Sequence, residues 1–91
     1  MKVPSDAMIQ ANLRGIQFLQ TELKLANTFL DIREASSVPE HKEQSGRDAE
    51  AAYRSILHFL PRLQMTAKEL ADFGRHIALL RTRLVAAGIT L

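Results

Sequence analysis

An all-α fold, arranged as an antiparallel three-helix bundle with a long first helix, is what this 91-residue sequence predicts. Three observations carry that expectation. Apolar residues recur at steps of three and four, not two, over long windows. Glycine and proline are scarce, at four and three residues, so the chain has few places to turn, and neither an Asn-Gly nor an Asp-Gly hairpin signal occurs. Corners around Pro39 and Pro61 divide the periodic pattern into three parts, which form one helical domain over residues 1–91.

The first helix is expected over about residues 6–35. Ser5 or Asp6, just after Pro4, can accept from the free N–H groups of its first turn. Ile9, Ile16, Leu23 and Leu30 repeat every seven residues, with Leu19 and Ala26 at the intervening step, which makes a bundle-facing stripe. Gly15 costs such a helix about 1 kcal/mol against alanine, so it marks either a bend or the close approach of a neighbour.

The second helix is expected over about 38–60. Ser37 and Glu40 have capping-box spacing, and Pro39 falls in the first turn, where its missing N–H is not needed. Ala49, Ala52, Tyr53, Ile56, Phe59 and Leu60 form its apolar face. The polar run before them, EHKEQSGRD, is expected to project into water or fray.

Pro61 raises the question of a kink or a corner. A proline inside a helix loses a hydrogen bond and clashes with the preceding turn at a cost of about 3 kcal/mol. Directly after it, Thr66 and Glu69 form a second capping box, and Met65 and Leu70 stand in the staple positions around it. A restart so fully specified implies a corner. The third helix, over about 67–87, repeats Leu70, Phe73, Ile77, Leu80 and Leu84. Gly88 then suits the left-handed position of a Schellman motif that folds Ile89 back on Leu84. Ala67, Ala71, Gly74, Ala78 and Val85 form a row of small residues beside that seam.

The first helix carries more apolar surface than two neighbours can cover. Phe18, Leu25, Phe29 and Ile32 lie nearly opposite the seam of Ile9, Ile16, Leu23 and Leu30, whereas a bundle helix needs an apolar arc of only about 100° or somewhat more. The first helix is also about 45 Å long against about 30 Å for each of the others, so one end should overhang. These features point to a homodimer, or another protein partner, seated on Phe18, Leu25, Phe29 and Ile32 as the interface.

Chemistry leaves little trace. The three histidines stand apart, with His41 among Glu40 and Glu43, His58 near Arg54, and His76 four residues after Asp72, close enough in a helix for the last two to pair. No nucleophile accompanies them, and the repeated Glu-x-x-His of a bundle-core metal site does not occur, so no cofactor, metal or catalytic residue is expected. The net charge of +2 is small; only residues 62–91 lean basic, through Arg62, Lys68, Arg75, Arg81 and Arg83, without interleaved aromatics, and nucleic acid is not the expected partner. The N-terminal MKVPSDAMIQ lacks an apolar signal-peptide core, no apolar run nears the roughly 20 residues of a membrane span, and cysteine is missing. The expected setting is the cytoplasm, with no membrane partner.

Certain segments resemble known families. AEAAYRSILHFLP is similar to the second helix of a tetratricopeptide repeat, with Ala49, Tyr53, Ile56 and Pro61 at that motif's small, aromatic, apolar and terminal proline positions. The likeness implies helix-hairpin packing and a protein-binding role. It covers about a fifth of the chain, and Arg33, Ser36, Ser37 and Glu40 stand where the preceding half-repeat needs other residues, short of the roughly three units an array requires. HKEQSG resembles the histidine phosphotransfer motif with lysine and glycine out of step, and HIALLRTRL resembles a histidine-kinase dimerisation helix with Arg83 in place of proline. A phosphorelay-type bundle with an exposed histidine is the alternative these imply. The A-x-x-A-Y helix followed by a Leu-Arg-rich one also resembles small uncharacterised bacterial α-helical proteins, a likeness that carries no activity.

Overall fold

A computed structural model describes residues 5–91. Three helices, α1 (Asp6–Ala35), α2 (Pro39–Phe59) and α3 (Ala67–Ala86), account for most of them, and the described residues contain no strand. A single 3-10 turn, Leu60–Arg62, follows α2.

Each helix boundary has a local cause. Ser5 begins α1, its Oγ accepting from the Met8 N–H at 3.2 Å. The start of α2 differs from the expected capping box: Ser37 does not cap it, and Val38 is the N-cap, without a side-chain bond. Pro39 explains the difference. A residue before proline is held in extended conformation, so Val38 (φ −94°, ψ 117°) cannot enter the helix and becomes its flank. Ser36 Oγ then accepts from the Val38 N–H at 3.2 Å. At Pro61 the chain turns: α2 gives way to the 3-10 turn, Leu63 is extended, and Thr66 starts α3 with the full capping box to Glu69. At the far end Gly88 takes φ +85°, and the Ile89 and Gly88 N–H groups donate to Leu84 and Val85 carbonyls at 3.1 and 2.9 Å, which is the Schellman geometry.

The core runs along the α1–α2 contact and extends to α3. Leu19, Ala26 and Leu30 of α1, Ala49, Ala52, Tyr53 and Ile56 of α2, and Phe73, Leu80 and Leu84 of α3 are its buried apolar members. Alanine at 26, 49 and 52 lets α1 and α2 approach closely. Gly15 faces the corner that follows α2, since a Cβ there would collide with the Leu63 side chain. The glycine therefore marks a close neighbour and not a bend.

The polar start of α2 does not project into water. Ser45 and Gly46 are buried, and Gly46 lies against the Arg33 guanidinium and the Ile89 side chain. Arg33 ties three segment ends together, donating to the Lys42 carbonyl at 2.7 Å and the Ala87 carbonyl at 3.0 Å. At the opposite end the Asn12 amide clamps the corner before α3, donating to the Gln64 carbonyl and accepting its N–H, both at 2.8 Å. Arg83 joins α3 to α1 through Asn27 Oδ1 at 2.8 Å, Asp31 at 2.8 Å and Glu34 at 3.0 Å. The two carboxylates raise its pKa further above the ordinary arginine value.

Three seam positions are not core, the first of them Ile16, which is half-buried outside the core cluster. Ile9 stays 45% exposed because α1 begins well beyond the level at which α2 ends, so Met8, Ile9 and Leu13 form the overhang. Leu70, in the first turn of α3, is 50% exposed, whereas Met65 packs on the core. The small-residue row Ala67, Ala71, Gly74, Ala78 and Val85 is exposed throughout.

Candidate interaction surface

Two flanks of α1 remain after α2 has covered its centre. One faces α3 and the other faces away from it.

On the outward flank the helical repeat aligns Phe18, Leu25 and Ile32 at seven-residue steps. They are 42%, 40% and 46% exposed. Phe29 shares the flank but turns inward, half-buried against the core. Of the four residues expected at the interface, three therefore present open apolar surface and one is partly spent in the fold. The sequence reading missed a fifth member, Phe59. The sequence pattern puts this residue on the apolar face of the second helix, yet Phe59 is 38% exposed and meets Phe18 edge to face, with ring centroids 5.5 Å apart. The cause is its place at the last residue of α2, where the helix gives out and the 3-10 turn begins. Arg62 lies over the Phe59 ring, 5.6 Å from its centroid, and the His58 ring packs perpendicular to it with centroids 4.8 Å apart. Arg14, Gly15, Phe18, Phe59, Arg62 and Leu63 line a hollow at this end of the flank.

On the inward flank an open cleft of about 790 Å³ separates α1 from α3. Ile16, Leu23, Met65 and Phe73 supply its apolar floor, and Lys24, Glu69 and His76 stand on its rim. The cleft exists because α3 is held to α1 mainly at its two ends, by Asn12 and by Arg83.

The titratable groups do not gather. His41, His58 and His76 are all exposed, and His41 and His58 stand about 25 Å apart along α2 at the helical rise. The expected Asp72–His76 side-chain pair does not form. His76 Nδ1 lies 2.8 Å from the Asp72 backbone carbonyl, and the Asp72 carboxylate pairs instead with Arg75, the residue just before His76. Among the described residues no group of three His, Asp or Glu could hold a metal ion. Of the basic residues toward the C-terminus, Arg75 and Arg83 are occupied by carboxylates and Arg81 donates to the Tyr53 hydroxyl at 3.4 Å. The positive charge is thus dispersed and partly neutralised by carboxylates of the same chain. No helix among the described residues is long and apolar enough to cross a membrane.

No protein family model, curated protein or solved structure matches this chain.

Proposed function

We propose that this protein is a non-enzymatic helical interaction module, its three helices packed up-down-up as an antiparallel bundle, which self-associates as a homodimer through the outward flank of α1. The setting that goes with this reading is the cytoplasm. One observation carries the proposal: Phe18, Leu25 and Ile32 stand in heptad register on a fully formed helix, each about two-fifths or more exposed, with Phe59 extending the apolar surface onto α2. Apolar side chains in a continuous row of this kind gain free energy when a matching row covers them, and a second copy supplies one at no cost in specificity. The test is sedimentation equilibrium across the micromolar range. A concentration-dependent monomer–dimer equilibrium supports the reading, and a strictly monomeric species removes it.

A further inference from the structure

We propose that the cleft between α1 and α3 binds a single-chain amphiphile with a carboxylate head, a medium-chain fatty acid, whose head rests on Lys24 and whose tail runs along Leu23, Phe73 and Ile16.

The register of the two walls comes first. The ties Asn12–Gln64 and Arg83–Asp31 each join residues 52 apart in sequence, so a residue of α1 stands about level with the one 52 places later in α3. Lys24 is therefore level with His76, at the end of the cleft nearer Arg83. Gln20, Lys24 and Thr28 follow one another at four-residue steps along one edge of α1, all exposed and all lining the cleft. Beside this polar edge lies the apolar floor. Phe73 is buried there, but Ile16, Leu23 and Met65 keep part of their surface open. The cleft volume of about 790 Å³ falls in the range of sites that take small organic ligands, which combine an apolar lining with a few placed polar groups.

Charge selects the head. Two carboxylates line the cleft, and both are committed within the fold. Asp72 pairs with Arg75. Glu69 accepts from the Thr66 N–H in the capping box and stands seven residues before His76, about 10 Å toward the foot of the cleft. Lys24 joins no ion pair among the described residues, which leaves its ammonium to an anion from outside. A carboxylate seated there forms a charge-assisted hydrogen bond, with the Gln20 amide and the Thr28 hydroxyl one turn to either side. Length then selects the tail. From Lys24 to Ile16 is eight residues, about 12 Å along the helix. An extended hydrocarbon chain covers that distance with about ten carbons, at roughly 1.3 Å of advance per C–C bond.

Titration of the isotope-labelled chain with sodium decanoate, below its micelle concentration and followed by amide NMR, tests the site. Binding should saturate, with shifts concentrated at Leu23, Lys24, Thr28 and Phe73. Lys24→Gln should weaken it roughly tenfold, and Lys24→Arg should restore most of the loss. Ile16→Gln, at a half-buried position outside the core cluster, should weaken binding through the tail, and hexanoate should bind less tightly than decanoate. Decylamine bound as tightly as decanoate overturns the assignment of the head to Lys24. Shifts centred on Phe18, Leu25 and Ile32 overturn the cleft as the site. No saturable binding by a chain that circular dichroism shows to be helical overturns the proposal as a whole.

Discussion

Replacing Phe18 and Ile32 together by glutamate is the perturbation that most directly weighs the outward flank. Phe18 is 42% and Ile32 46% exposed in the protomer, so a little under half of each side chain remains to be buried. Full burial of such residues stabilises by about 1.5–3 kcal/mol, which leaves about 0.6–1.3 kcal/mol per side chain for the interface. A two-fold dimer contains each twice, and the double substitution therefore forfeits about 2.5–5 kcal/mol before any cost of burying the new carboxylates. At 1.4 kcal/mol per decade the dissociation constant should rise by between about fifty-fold and several thousand-fold. The same substitutions leave the helix intact, since glutamate is a good helix former and neither side chain belongs to the buried core, although Phe18→Glu gives up the edge-to-face contact with Phe59. Sedimentation equilibrium measures the mass change, and circular dichroism at matched concentration verifies helicity. Equal dissociation constants for the variant and the natural chain, with helicity intact in both, would refute the argument that this flank is the contact.

Three further outcomes test the fold that presents the flank. The Glu69 carboxyl is held below its ordinary value of 4.5 by accepting from the Thr66 backbone N–H and, secondarily, by its bond with the Thr66 side chain. Because the folded-state pKa is depressed, the stabilisation is complete above the ordinary carboxylate range and is lost as pH falls through the lower folded value. Acid titration followed by circular dichroism should show this loss, and Glu69→Gln should flatten that limb of the curve. Gly74→Ala, in the interior of α3 where a Cβ meets nothing within 4 Å, should raise stability by about 0.5–1 kcal/mol. Gly15→Ala should gain less or lose, since the new methyl must displace Leu63, and paired urea melts compare the two. Arg33→Met should cost about 1–3 kcal/mol in the same melts, because the Lys42 and Ala87 carbonyls both lose a charged donor in a partly buried site.

How far the sequence spoke depended on whether a signal was local. The Thr66–Glu69 box, the Gly88 turn and the corner at Pro61 are each decided within a few residues, and the structure places all three as read. The Ser37–Glu40 spacing misled because two local rules compete there. The bias that Pro39 imposes on Val38 overrides the capping preference of Ser37. Which apolar residues reach the core was less legible. Ile9 and Leu70 have the correct period but lie where neighbouring helices do not reach, and Phe59 lies where its own helix stops. The long-range ties were invisible. Nothing in the pattern around Arg33 or Asn12 indicates a partner nine or fifty-two residues away, and both residues interrupt the apolar arc of α1 as ordinary surface polar groups would.

The open cleft beside α3 bears on how the molecule breathes. The α1–α2 contact shares a continuous seam of small and branched side chains, while the third helix adds Phe73, Leu80 and Leu84 to the core and is otherwise fastened at its head by one amide and at its tail by two guanidinium groups. Such a strap can peel away as a cooperative unit without melting the hairpin, so its amides should exchange with deuterium ahead of those around Leu19 and Ile56. A chain built in this way keeps its stiffest part beneath the outward row of α1, and reserves its compliance for the opposite side.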